Sequence, residues 1–227
     1  MSNKLDAYLQ VVEFLGKALG QQYEIVLHDL TTPDHSIIAI ANGSLSGRVV
    51  GGPATDFALK MMKQGDESNR QYIVNYRARN VNGHLFRSAS HFIRNDKGKL
   101  IGMLCINFNV TPFINLRDQL TQDIICDNEH PTNEVGMEEQ IGNPLHVFEN
   151  FQGSIEDVIT SMIDNALSIY SVSADRLSAN ERISVVEELN EGGLFLLKGG
   201  LAALAERLQV SEPTIYRYLS KVKRRSE

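Results

Sequence analysis

Apolar residues Leu5, Tyr8, Leu9, Val12, Leu15 and Leu19 recur in steps of three and four, which predicts a helix over residues 4–19 with one buried stripe and a stop at Gly20. The period then shortens. Tyr23–Leu30 and Ser36–Ala41 read as two short strands parted by the turn-rich TTPDH. A glycine-punctuated loop from Asn42 to Pro53 leads to a short helix near 56–63. Three longer strands follow, at Tyr72–Val81, Leu85–Ile93 and Leu100–Val110. In the first, alternation puts Val74, Tyr76 and Ala78 on one face and Asn75, Arg77 and Arg79 on the other. The second and third are joined at Asn95-Asp96-Lys97-Gly98, where Gly98 can supply the positive φ of a tight hairpin. The third is apolar on nearly both faces as far as Asn107, as a central strand would be.

A helix is predicted over 112–125, after which residues 127–153 lose all periodicity and gather Asn, Glu, Pro and Gly. That stretch reads as a linker. Ser154 then caps a helix over 154–172 in which Ile155, Ile159, Met162, Ala166 and Ile169 fall in steps of four and three. Such a stripe serves either a dimer seam or packing on its own chain. The order of elements up to residue 126 is that of a PAS-like sensor, an antiparallel sheet with flanking helices, although propensity alone leaves other topologies open.

The segment 176–227 reads as an all-α domain, which makes the whole chain α+β. Its supporting helix covers Asn180–Leu189, with Gly192-Gly193 and Gly199-Gly200 as breaks. In LAALAERLQVSEPTIYRYLSKV the first helix aligns Leu201, Leu204, Ala205 and Leu208 on one face, and Val210 plugs the turn. Ser211 is placed to cap a second helix that buries Ile215, Tyr218 or Leu219, and Val222. Ala205 stands where two steeply crossing helices need a small residue. This is the pattern of a helix-turn-helix, with one departure: Gln209 stands where glycine is common at the turn. A second helix lying in a major groove would turn Ser211, Glu212, Thr214, Tyr216 and Arg217 toward base edges or flanking phosphates. Arg207, Lys221, Lys223 and Arg224 would pair with phosphates. The alternative is a helical pair that binds a protein rather than DNA.

Charge changes the picture in favour of DNA. The chain of 227 residues carries a net −6, yet residues 201–227 carry +3 and the first 200 carry −9. A basic end on an acidic body is the layout of a sensor joined to a DNA reader. A single recognition helix covers few base pairs, so a homodimer on a double-stranded operator is expected. No apolar run approaches membrane-spanning length, the N-terminus has no signal-peptide core, and two cysteines offer neither a disulfide framework nor a zinc spacing. A cytoplasmic protein without metal or cofactor is the expectation.

For the sensor, a small-molecule effector is expected between the loop 42–56 and the strand face bearing Phe86, Ser88, Ser90 and Phe92. Arg48 suits a carboxylate, while Asn42, Thr55, Asp56, Tyr76, Ser88 and Ser90 offer polar contacts. These residues also have a structural reading, with Thr55 or Asp56 as a helix cap and the serines as small packing residues. No phosphate loop, metal spacing or set of nucleophile and base points to an enzyme. His28 and His91 read as satisfied strand residues and Cys105 as inert packing.

Taken together, YEIVLHDL, GRVVGGPATDFALKMM, LFRSASHFI, CINFN and FLLKGGLAALAERLQVSEPTIYRYL resemble the YheO-like family of bacterial regulators over nearly the full length. The resemblance implies an N-terminal PAS domain, a linker and a C-terminal helix-turn-helix. One relative in that family is described as a repressor of D-arginine utilisation.

Overall fold

The structure, a computed structural model, describes residues 4–64, 70–125, 148–170 and 172–225. Helix α1 (Asp6–Leu19) ends at Gly20 and is followed by strands β1 (Tyr23–Asp29) and β2 (Ile37–Ala41). Helix α2 (Asp56–Gln64) precedes the long strands β3 (Tyr72–Asn80), β4 (Leu85–Arg94) and β5 (Leu100–Asn109), and α3 (Thr111–Ile125) leaves the sheet. A further strand, β6 (Phe148–Phe151), stands just before α4 (Ile155–Leu167), α5 (Ala179–Glu191), α6 (Gly200–Arg207) and α7 (Glu212–Arg225).

The sheet runs β2-β1-β5-β4-β3-β6. Its first five strands are antiparallel, and β5 is central, as its two apolar faces required. Strand β6 adds a parallel edge to β3, pairing Arg77–Asn80 with Phe148–Phe151. It corrects the sequence reading of 127–153 as linker throughout: residues 148–151 belong to the sheet, while 127–147 lie outside the described residues. Four residues with two polar among them carry too little pattern to reveal a strand that an edge elsewhere in the chain completes.

The phase of β3 also differs from simple alternation. Asn75 adopts a left-handed φ of 60° and shifts the register between Val74 and Tyr76. This bulge turns Val74 out to solvent and brings Ile73, Tyr76 and Ala78 inward together.

Each sheet face has its own core. One packs α1 through Leu5 and Val12 against Ile25, Leu27, Ile93 and Leu104. The other holds α2 and runs on into the helical domain, so that Phe57, Leu59 and Met103 share a continuous apolar cluster with Ile159, Val185, Leu194 and Ile215. At that junction a Cβ on Gly193, whose φ is 86°, would lie 2.9 Å from the Leu59 carbonyl oxygen. Only glycine lets the backbones meet so closely in that conformation. The Lys198 amide donates to Asp34 (3.0 Å) and the Lys63 ammonium to Asn190 (3.3 Å) across the same junction.

The α4 stripe packs on its own chain: Ile159, Met162 and Ala166 are buried in this core, and Ile155 packs against it. Ile169, beyond the helix end, is 72% exposed. Ser154 caps α4 by accepting from the Asp157 amide. Ser178 and Glu181 cap α5 reciprocally. Among the described residues no helix is long and apolar enough to cross a membrane, and no group of three His, Cys, Asp or Glu side chains could hold a metal ion.

Candidate functional site

The inward face of the sheet carries polar residues where hydrophobic ones would be routine. Cross-strand pairing sets Tyr76 of β3 beside Ser88 of β4, Ser88 beside Asn107 of β5, and Asn107 beside Glu24 of β1. One polar row thus crosses four strands, every member almost fully buried. Beyond Ser88 on β4, the Ser90 hydroxyl lies 2.8 Å from the Tyr76 hydroxyl and 3.0 Å from the Cys105 sulfur.

The loop between β2 and α2 closes over this row with Ser46 and Arg48. The Arg48 guanidinium, buried, meets Glu24 Oε2 at 2.5 Å and lies 3.9 Å above the Phe151 ring. Ser46 donates to the other Glu24 oxygen, and Asn107 Nδ2 donates to Oε2 at 2.9 Å. Burial works against the Arg48 charge, but Glu24 and Glu149 more than offset it and hold the guanidinium pKa above its ordinary value.

Strand β6 enters the site from the edge. The Glu149 carboxylate accepts from Thr55 Oγ1 (2.5 Å) and from the Tyr76 hydroxyl (2.9 Å). Since Tyr76 spends its proton on Glu149, Ser90 must donate to Tyr76 and Cys105 to Ser90, an ordered chain. Burial pushes the Glu149 carboxyl up to about 7, against the pull of Arg48 and the two hydroxyls. Burial and the neighbouring Glu149 push the Cys105 thiol up to about 12, which leaves it protonated and inert. Asn150 reaches the other way and ties β6 to Asp56 at the start of α2, with Nδ2 2.9 Å and its amide 3.2 Å from the carboxylate. Thr55 meanwhile accepts from the Ala58 amide, so one hydroxyl caps α2 and holds Glu149.

Two atoms in the row are left over. Ser88 Oγ and Asn107 Oδ1 are buried without a hydrogen-bond partner among the described residues, and their residues are cross-strand neighbours. Unmet polar atoms side by side in an interior call for a hydrogen-bond partner from outside the described residues.

Of the residues expected to hold an effector, Arg48, Thr55, Tyr76, Ser88 and Ser90 gather at this site, with Asp56 at its rim. Asn42 does not. Its side chain donates to the Gly20 and Tyr23 carbonyls (3.2 and 2.7 Å) and pins the turn between α1 and β1. Sequence reasoning missed Glu24, Ser46, Asn107 and Glu149. A charge inside the apolar run YEIVLHD was the available signal for Glu24, and the break in β5 was the signal for Asn107. His28 donates or accepts at Ser36 Oγ (2.8 Å), and burial drives its pKa down to about 3, so it stays a neutral strand residue.

At the other end of the molecule α6 and α7 cross at Ala205, which is buried with Leu204, Leu208, Ile215, Tyr218 and Val222. Gln209 takes the left-handed φ of 51° that glycine would supply, and the Val210 amide closes α6 on the Ala205 carbonyl (2.9 Å). Ser211 precedes α7 with its hydroxyl 3.0 Å from that of Thr214. Glu212, Tyr216, Arg217 and Lys221 are exposed on α7, Ser211 is exposed before it, and Thr214 is half-buried. Arg207 faces elsewhere, paired with Asp164 of α4 at 2.8 Å. Lys223 and Arg224 lie in the last turn of α7.

Comparison with known proteins agrees with both halves. Residues 1–124 match the YheO-like PAS domain, and residues 158–220 match a helix-turn-helix domain. The chain is 34% identical over 98% of its length to an uncharacterized protein of Haemophilus influenzae strain Rd, covering 93% of it. It is 33% identical to the uncharacterized protein YheO of Escherichia coli K12, over 96% of this chain and 85% of that one. It is 25% identical to the transcriptional regulator DauR of Pseudomonas aeruginosa PAO1, over 96% of this chain and 94% of DauR. The chain belongs to the YheO-like family, joining a PAS domain of that kind to a C-terminal helix-turn-helix domain.

Proposed function

We propose that the protein is a one-component transcriptional regulator: a cytoplasmic homodimer that binds an operator through α7 and a small polar effector in the buried site of the PAS domain. The observation that carries the DNA-binding half is the free outer face of α7. A helix held on its inner side by Ile215, Tyr218 and Val222 presents Tyr216, Arg217 and Lys221 to solvent at the end of the chain where positive charge collects. Glu212, Ser211, Thr214 and Arg217 read base edges or flanking phosphates, and Lys221, Lys223 and Arg224 pair with phosphates. Two such helices on half-sites about 34 Å apart give the specificity that one lacks. The similarity to the regulator DauR supports the same reading.

The effector half is supported by the convergence of Arg48, Thr55, Tyr76, Ser88 and Ser90 and by the unmet atoms of Ser88 and Asn107. An effector acts by binding the DNA-competent and incompetent arrangements with different affinity. Helix α2 is suited to carry that difference, since its first residue touches the site and Leu59 touches Gly193 of the helical domain.

The test is binding of the purified protein to the DNA upstream of its own gene and to a scrambled fragment across a salt series. Preference for the native fragment with affinity falling steeply in salt is expected. Equal affinity for both fragments would refute operator recognition.

A further inference from the structure

Resting on the effector reading just given, we propose that Glu149 is an in-chain stand-in for the effector: the effector is a small carboxylic acid whose carboxylate takes the Thr55 and Tyr76 hydroxyls and releases strand β6.

The Glu149 subsite is built for a carboxylate. Two hydroxyl donors converge on it from different elements, Thr55 at the head of α2 and Tyr76 on β3. Both donors are themselves oriented, Thr55 by the Ala58 amide and Tyr76 by Ser90. The Arg48 cation stands beside them. Such preorganised donors bind any carboxylate of the right size, whether or not it is tethered to the chain.

The tether is weak. Strand β6 pairs along one edge only, through four residues in parallel with β3. Among the described contacts, it is held further by Glu149 on the hydroxyls, by the Asn150 side chain and amide on Asp56, and by Phe151 over Arg48 and edge-on to Phe86. A surface hollow of about 270 Å³ opens beside Asn150 and Phe151, so solvent reaches the strand at this end. Glu149 also leaves polar groups of the interior unmet, because Ser88 Oγ and Asn107 Oδ1 have no partner among the described residues. An acid with a second hydrogen-bonding group answers more of the site than Glu149 does. Its entry exchanges one buried carboxylate for another, so the site's charge balance survives the swap. The helical domain registers the exchange directly, since β6 ends three residues before the Ser154 cap of α4.

The atoms that Glu149→Ala removes beyond Cβ are those of an acetate ion, so acetate is the probe and acetamide its uncharged control. In the full-length variant, acetate is expected to raise Tm relative to the same concentration of chloride. It is expected to bind at least about tenfold more tightly than to the wild type, where the tethered competitor reduces apparent affinity. Acetamide is expected to do neither, and Thr55→Ala added to Glu149→Ala is expected to abolish the effect of acetate. Should Glu149→Ala fail to fold, Glu149→Gln keeps the shape of the strand. In that variant, amides of residues 148–151 are expected to exchange faster in acetate than in acetamide, while those of β4 stay unchanged. Acetamide stabilising as well as acetate would overturn the carboxylate assignment and leave an effector site for a neutral molecule. Neither probe acting on either variant would overturn both the stand-in and the effector site, with β6 then a fixed part of the fold.

Discussion

The two ends of the molecule use charge in opposite ways. On α7, Arg217 and Lys221 stand in solvent, where a charge costs the fold nothing and is free for a partner. In the PAS domain, Glu24, Arg48 and Glu149 are sealed in the interior, where a charge persists only if others match it. The same residue type therefore carries stability at one end and, in the function proposed above, recognition at the other. Replacing Arg48 with methionine breaks that matching, because Glu24 and its hydrogen-bonded shell stay behind. The expected loss is about 3–5 kcal/mol of unfolding free energy, read by urea denaturation. A loss under about 1 kcal/mol would mean that the interior tolerates an unpaired carboxylate and that the contrast with α7 is false.

A pH series sharpens the same contrast. Glu149 faces Arg48, Asp56, Tyr76 and Thr55, and burial lifts its carboxyl from 4.5 to about 7. Between those values the folded protein keeps a proton that the unfolded chain gives up. Stability from this group is therefore fully present below about 4.5 and is lost as pH rises through about 7. The span corresponds to on the order of 3 kcal/mol. His28 has the opposite sign, since its pKa falls from 6.5 to about 3 and its contribution is lost as pH drops. Subtracting the wild-type curve from that of Glu149→Gln removes His28. The variant should gain on the wild type steadily from pH 4.5 to 7 and hold its advantage above, as measured by chemical denaturation. A difference flat in pH would show that Glu149 titrates as an ordinary surface carboxylate.

Arg217→Ala carries the comparison to the DNA-binding end. Its side chain is exposed, with the Tyr218 ring 5.9 Å from its guanidinium carbon, so unfolding free energy should change by less than about 0.5 kcal/mol. Affinity for the native upstream fragment should fall by about 1–3 kcal/mol, with relaxed preference at one base pair. A fall equal on native and scrambled DNA would make Arg217 a phosphate contact rather than a base reader.

The two ends were also unequally legible. The turn that joins α6 to α7 is shaped within some two dozen consecutive residues, so spacing alone placed Ala205, Val210 and Ile215. Even the departure at Gln209 resolved locally, as a left-handed residue at a helix end. Sheet elements were legible too, because β3 and β4 carry alternation and β5 a nearly continuous apolar run, and the hairpin at Gly98 has the positive φ its sequence implied. What was not legible is what sequence-distant strands make together. The row Tyr76–Ser88–Asn107–Glu24 exists only after the register is set, and the bulge at Asn75 defeats the phase of β3. Glu149 sits in a stretch without period and acquires its role only from partners 94 and 73 residues away. The α4 stripe shows the converse limit: period reveals a buried face but not which surface buries it.

The smallest expected effect concerns Arg207, which belongs by sequence to the DNA reader and by contact to the body. It is ion-paired with Asp164 at 2.8 Å, with about half of each side chain exposed. Solvent screens such a pair, so Arg207→Ala should change unfolding free energy by less than about 0.5 kcal/mol. Its value as a test lies in the salt dependence of DNA binding. If Arg207 leaves Asp164 for a phosphate, the slope of log affinity against log salt should lessen by about one in the alanine variant. An unchanged slope would assign Arg207 to the α4 side of the domain and confine the DNA-contacting charge to α7. Asp164→Ala separates these outcomes further. Freeing Arg207 from its partner should raise DNA affinity slightly in the first case and leave it unaltered in the second, which draws the border between the two uses of charge at a single residue pair.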